Sequence, residues 1–399
     1  MEEMLKPVWE GETAYYESVL PVANEYGGID PITLLYPIEE ILSVQNAEQT
    51  VTYQAGVDYA VSGGQLIIAD DGKIPVLSYE EFHPTTGQAG FESTEGGYVC
   101  FHEGTWFHSK QIVVTYKHKA RKVHIPDGKA DLLPTITQKL SNKNDLELLV
   151  FGDSISVGAN SSGFTGISPY LPTYAELFAI KLQREYGVKV NLTNPSVGGM
   201  GFDWGLEQID GVLAKQTALD LAVVAFGIND GRTSPTVIAE KANRLISAIL
   251  DKFPQAEILL VAGMLPNPQA KNFYLNMVNF AEAMLENCER KGVAVVNMTA
   301  MHESLLQRKR YADMTGNNVN HPNDYLARVY AQVLFATLQK KAASDTPIEG
   351  DSTSDEQSAQ PTGSIFTTLL SGCTATASVS SCAVAALGGA VILNKKKED

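Results

Sequence analysis

Four short segments of this chain hold residue types that together can carry out nucleophilic acyl transfer. In LELLVFGDSISVGANSSG, residues 146–163, an apolar run ends abruptly at Gly152-Asp153-Ser154 and gives way to small polar residues. A serine there can act as a nucleophile or can cap the helix that follows, and taken alone the cap is the simpler account. In LDLAVVAFGIND a second apolar run stops at Gly227-Ile228-Asn229-Asp230, where the Asn229 carboxamide can donate an N–H to an oxyanion. NLTNPSVGGMG contributes a glycine-rich turn at Gly198-Gly199, whose unshielded backbone amides can supply another donor. NNVNHPND sets His321 just ahead of a helical stretch, and imidazole suits the removal of a serine proton near neutral pH. Each segment also has a plainer account. Asn229-Asp230 can end a strand, Gly198-Gly199 can be a tight turn, and His321-Pro322 can open a helix. The argument for chemistry lies in the set, in the order Ser, Gly, Asn, His, on loops of one domain.

The scaffold for those loops is legible in the period of the apolar residues. From about residue 145, strand candidates at 146–151, 188–193, 220–226, 257–263 and 293–298 alternate with helical stretches at 172–186, 236–252, 272–291 and 323–341. That succession predicts a parallel sheet with helices on both faces, a flavodoxin-like three-layer α/β/α domain with its site at the carboxyl ends of the strands. Residues 12–117 differ. QTVTYQAGVDYAVSGGQLIIAD, GGYVCFHEG and KQIVVTYKH are short aromatic and β-branched runs broken by turns, with a hairpin signal at Gly63-Gly64. They predict a small all-β sandwich or jelly-roll domain in front of the α/β one.

Gly152-Asp153-Ser154, Gly199, Gly227-Ile228-Asn229-Asp230 and His321-Pro322-Asn323 resemble the four sequence blocks of the SGNH (GDSL) hydrolases, over about residues 145 to 341. The resemblance implies a serine esterase with Ser154 as nucleophile, His321 as base, and an oxyanion hole made by the Ser154 amide, the Gly199 amide and the Asn229 side chain. Gly199 is preferred to Gly198 because Asn194 then keeps the family's Asn-to-Gly spacing. It implies no metal or organic cofactor. One position departs from the pattern: the family's aspartate three residues before the histidine is here Asn318. An amide can orient the imidazole but supplies no negative charge. Three accounts follow: a Ser154–His321 dyad, a replacement acid such as Asp313 or Asp324, or an inactive relative.

Composition bounds the rest. The chain has 399 residues, a formal net charge of -16 and a pI near 4.9, which argues against nucleic acid or an anionic membrane surface as partner. Four cysteines, at 100, 288, 373 and 382, form no CxxC pair and imply neither a zinc site nor a disulfide framework. The expected organisation is a β domain over 1–130, the hydrolase domain over 131–342, a polar linker over 343–363 and a weakly apolar tail over 364–399. That tail is uncharged until Lys395 and long enough to span a bilayer, so it is a candidate membrane anchor, with a small-residue tail as the alternative. The acidic N-terminus MEEMLKPVWEGE does not read as a secretory signal. Localisation is therefore either membrane or cell-surface through the tail, or cytoplasmic.

For substrate, no long apolar lid segment surrounds the blocks, which argues against a triacylglycerol lipase. A β domain ahead of an SGNH domain resembles bacterial carbohydrate esterases, and GTWFHSKQ offers Trp106 and His108 as candidate sugar contacts, with Asp153 beside the nucleophile. The expected substrate is a short acyl, above all acetyl, ester on a glycan. The alternatives are an acyl thioesterase or lysophospholipase, and a non-catalytic surface carbohydrate binder with a decayed site.

Overall fold

The computed structural model describes residues 2–87, 90–119 and 123–341, and the linker and tail expected over 343–399 lie outside these. Five parallel strands form the central sheet: β8 Leu146–Gly152, β9 Val190–Thr193, β10 Leu221–Ala225, β11 Glu257–Ala262 and β12 Val293–Asn297, numbered after the antiparallel strands of the front part. Their order is β12-β11-β10-β8-β9. The first strand of this set thus lies between the second and the third, the 2-1-3-4-5 order of flavodoxin-like sheets, whose switch point falls between β8 and β10. Both faces are covered, so the strands read as continuous apolar runs: every residue of β11 is buried, as are Leu148, Leu149, Val150 and Phe151 of β8.

Helices Tyr174–Tyr186 and Asp324–Thr337 pack against each other, as do Phe202–Ala214 and Pro235–Lys252. Two helical stretches depart from the sequence reading. The Phe202–Ala214 helix is not marked by the apolar period, because Gly205 and Gly211 interrupt a helix-forming run. Gly205 is what lets this helix close on the sheet, since a Cβ there would lie 2.9 Å from the Phe226 ring. The 272–291 stretch narrows to a helix at Phe280–Asn287, because Asn272 and Leu275 take positive φ and break the turn before it.

The front part of the chain is antiparallel. β1 Thr13–Val19, β7 Ile112–Lys117 and β2 Glu40–Asn46 form a three-stranded sheet in that order, and β3 Tyr59–Ser62 with β4 Gln65–Ile68 and β5 Gly90–Glu92 with β6 Tyr98–Cys100 form two hairpins. The β3–β4 turn is Gly63-Gly64, both at positive φ, the conformation a two-residue hairpin requires.

The antiparallel and α/β parts share one apolar core, and the described residues fall in one compact unit. Polar contacts pin them together behind the last helix. Lys309 and Glu17 make a buried ion pair at 2.6 Å, with Glu17 also accepting from Tyr116 Oη at 2.7 Å and the Leu35 amide at 2.7 Å. Arg328, on the last helix, donates to the Tyr15 and Tyr16 carbonyls. Asn323 Nδ2 donates to Ser18 Oγ and to Gln111 Oε1, both at 3.0 Å. Removing one member of the buried pair leaves a charge without its partner, so Lys309→Met is expected to lower stability by about 3–5 kcal/mol, read as a shifted urea midpoint. A midpoint equal to wild type would show that the pair does not hold the two parts together.

Candidate active site

Ser154 lies just past β8 and opens the short helix Ser154–Val157, but the cap of that helix is Asp153, whose carboxylate accepts the Ile155 amide at 3.0 Å. The serine is thereby released from the capping role that its position suggests. Its Oγ lies 2.9 Å from His321 Nε2. The Ser154 amide donates to no other group among the described residues, as expected at the first position of a helix.

The glycine turn follows β9 and approaches the serine from one side. A Cβ on Gly198 would lie 3.7 Å from the Ser154 Cβ, whereas one on Gly199, at φ +77°, would meet nothing within 4 Å. Asn194, four residues before Gly198, donates to the Ser156 carbonyl and ties the turn to the Ser154–Val157 helix. Asn229, past β10, is exposed, and one N–H of its carboxamide goes to the Met200 carbonyl at 2.9 Å. Its second N–H is left for a ligand. Serine, glycine turn and Asn229 therefore sit beyond the carboxyl ends of three adjacent strands, β9, β8 and β10, at the switch point.

His321 ends a closed loop. Thr315 Oγ1 donates to the His321 carbonyl at 2.7 Å, and the Asn317 side-chain oxygen accepts the amides of Val319, Asn320 and His321, each at 3.0 Å. With Nε2 as acceptor of the Ser154 hydroxyl hydrogen bond, Nδ1 carries hydrogen and donates to Asn160 Oδ1 at 2.6 Å. The Asn160 amide is held in that sense because its Nδ2 donates to the Gly104 and Gly316 carbonyls. Asn317 Nδ2 also lies 3.0 Å from Nδ1, and with Nδ1 protonated its two hydrogens go to Asn320 Oδ1 at 2.9 Å and Glu103 Oε1 at 3.1 Å. Glu103 Oε2 is 3.4 Å from Nδ1.

Sequence reasoning placed three candidates beside the imidazole that the fold puts elsewhere. Asn318, at φ +63°, turns away and donates to the Cys100 carbonyl at 3.2 Å. Asp313 pairs with Arg310 at 2.8 Å and accepts the Leu20 amide, which spends it on joining the two parts of the chain. Asp324 is buried and accepts the Ser162 amide at 2.8 Å. Two candidate sugar contacts are also enclosed: His108 is buried with Nε2 against the Ser168 carbonyl at 2.8 Å, and Asp153 is 2% exposed. Trp106 is half-buried and stacks on His102 at 4.1 Å. The residues that do surround the ring, Asn160, Asn317 and Glu103, escaped the sequence reading. Asn160 and Asn317 look like turn residues, and Glu103 lies more than 200 positions from the histidine in the polar FHEG stretch.

A family model for the GDSL-like lipase/acylhydrolase family matches residues 150–329. This chain contains a GDSL-like lipase/acylhydrolase domain over those residues. The four blocks singled out in the sequence all fall within that domain, on the loops just described. A search of curated proteins finds no match. Among solved structures, the hydrolase is similar to a two-domain esterase active on acetylated mannans, with 18% identity and a TM-score of 0.43 over 56% of this chain and 58% of that one. It thus spans little more than half the length of that esterase. It is also similar to a member of the lipolytic G-D-S-L family from Veillonella parvula, with 16% identity and a TM-score of 0.39 over 48% and 96% of the two chains. An acetyl xylan esterase from Geobacillus stearothermophilus gives 17% identity and a TM-score of 0.38 over 50% and 97%.

Burial pushes the Asp153 carboxyl up to about 7, opposed by the Ile155 N–H it accepts and reinforced by the neighbouring Asp230 carboxylate. A carboxyl raised in the folded state contributes stability that is complete below its unfolded value near 4 and is lost as pH rises through 7. Asp153→Asn, which can still cap the helix, is expected to remove that loss, so the difference in Tm between variant and wild type should grow from pH 4 to pH 7. Parallel Tm profiles would contradict it. A second variant tests the ring support. A Cβ on Gly316 would lie 2.5 Å from the Asn160 Cβ, so Gly316→Ala should displace Asn160 and lower kcat by about tenfold or more. Unchanged kcat would show that the Asn160 contact is dispensable.

Proposed function

We propose that this protein is a serine esterase that removes acetyl or other short acyl groups from a carbohydrate. The observation that carries the reading is the 2.9 Å contact of Ser154 Oγ with His321 Nε2 at the switch point of the sheet. His321 takes the hydroxyl proton on Nε2 as Oγ bonds to the ester carbonyl carbon. The resulting oxyanion is met by the Ser154 amide, the Gly199 amide and the free N–H of Asn229. Collapse breaks the bond to the alcohol oxygen, which leaves with the proton from Nε2, and an acyl-Ser154 remains. Water, losing its proton to Nε2, then attacks that carbonyl and releases the acid, and Ser154 Oγ recovers the proton.

Two features of the surface support a short acyl group on a sugar. The groove of about 330 Å³ beside Asn229 is lined by Asp203, Asp230, Arg232, Thr233, Asn272 and Phe273, a largely polar wall that gives a long acyl chain little apolar surface to bury. A wider groove of about 900 Å³, reaching Val157 of the nucleophile helix, carries the exposed rings of Phe164 and Tyr170, at 56% and 64% exposure. Flat exposed aromatic rings offer apolar faces on which sugar rings can stack.

Ser154→Ala and His321→Ala should each lower kcat on p-nitrophenyl acetate by about a thousandfold or more. In a chain-length series wild type should prefer acetyl over octanoyl, and the reverse order would favour a thioesterase or lysophospholipase. A wild type no faster than Ser154→Ala would leave a non-catalytic carbohydrate binder. Phe164→Ala with Tyr170→Ala should raise KM on an acetylated polysaccharide and leave p-nitrophenyl acetate turnover alone. An equal effect on both substrates would remove the rings from sugar binding.

A further inference from the structure

We propose that Glu103, contributed by the antiparallel part of the chain, supplies the negative charge that steadies the His321 imidazolium and so replaces the acid missing at Asn318. The inference rests on the reading of Ser154 and His321 as nucleophile and base.

The geometry around Nδ1 separates two tasks that one carboxylate performs in a Ser-His-Asp triad. Direction is given by Asn160, whose Oδ1 accepts from Nδ1 at 2.6 Å and selects the tautomer that leaves Nε2 free for the serine proton. Charge comes from Glu103, whose Oε2 stands 3.4 Å from Nδ1 and whose other oxygen is held by Asn317 at 3.1 Å. Asn317 is the brace between them, because the same side chain organises the three amides that lead to His321. When the ring gains its second proton, the nearest negative charge is this carboxylate. Glu103 is half-exposed, so solvent screens the attraction without removing it.

The position of Asn318 supports the same conclusion. Residues 100–104 run across the histidine loop and also meet Asn160: the Cys100 carbonyl accepts from Asn318 and Glu103 from Asn317, both of the loop, and the Gly104 carbonyl accepts from Asn160. The residue that departs from the family pattern therefore anchors the segment that brings the other acid. A carboxylate at 318 would face the Cys100 carbonyl, and two acceptors would repel. Asparagine also tolerates the φ of +63° at this point better than most side chains. Partial burial alone would raise the Glu103 carboxyl, yet the His321 ring and the Asn317 and Asn160 amides outweigh it and leave the carboxyl below its ordinary value. Glu103 is thus ionised wherever the base is needed. It touches no reacting atom and acts through the ring, as a positioning residue.

The test is a pH–rate series on the full chain with Glu103→Gln, Glu103→Asp and Ser154→Ala, with thermal unfolding followed in parallel. Removing one charge at this distance should lower kcat by about tenfold or more and move the acidic limb of kcat/KM to lower pH, because the nearest anion no longer favours the charged ring. Glu103→Asp, which keeps the charge on a shorter arm, should recover part of the rate and return the limb toward its wild-type position. A Glu103→Gln enzyme with wild-type kcat and limb, beside an inert Ser154→Ala, would overturn the proposal and leave Ser154 as nucleophile. An active Ser154→Ala would overturn the underlying reading instead. If Glu103→Gln loses rate with an unmoved limb, or Glu103→Asp is no better than Gln, the role is structural and the proposal fails.

Discussion

The constraint on which this site depends is that a neutral imidazole must be held with one particular nitrogen bare. A histidine on a loop can rotate, and either nitrogen can carry the proton, so the Ser154 hydroxyl meets a bare ring nitrogen only if the other edge of the ring is occupied by an acceptor. Asn160 provides that acceptor, and its own orientation is imposed by two carbonyls that take its amide hydrogens. Asn317 closes the histidine loop with three amide contacts to one oxygen. Much of the remaining architecture serves to keep these two amides where they are.

The antiparallel part is consequently an element of the site as well as a neighbour of it. Its strand β6 leads into the segment that lies across the histidine loop, and the Gln111 amide, just before β7, donates to the carbonyls of Ala312 and Thr315. Behind the loop, Asp313 takes the Leu20 amide and Arg310, while Lys309 is buried with Glu17. The loop is therefore clamped from both sides by polar groups, and the contacts made between buried ones are costly to break because the partner left behind has no water to replace them.

The parallel sheet contributes position. Its 2-1-3-4-5 order opens a crevice between β8 and β10, and the loops after β8, β9 and β10 converge there without any of them having to be long. Asp153 takes over the capping of the Ser154–Val157 helix, which frees the serine hydroxyl from that role. The cost is a buried carboxyl beside Ser154, with a second one, Asp230, close enough to repel it.

The sequence by itself determined the strands of the sheet, their alternation with helices, and the four loops that carry Ser154, the glycine turn, Asn229 and His321. Those features depend on local period and on residues close in the chain, where propensity, turn chemistry and burial act over a few positions. It also revealed that an acid was missing at 318. What stands in the acid's place was decided only by tertiary structure. Asn318, Asp313 and Asp324 are near His321 in sequence, yet positive φ, an ion pair and a buried amide contact turn them to other partners. Glu103 is remote in sequence and 3.4 Å away in space. No local signal records such a pairing, because the free energy that brings the two together comes from the core and the buried contacts shared by the two halves of the fold.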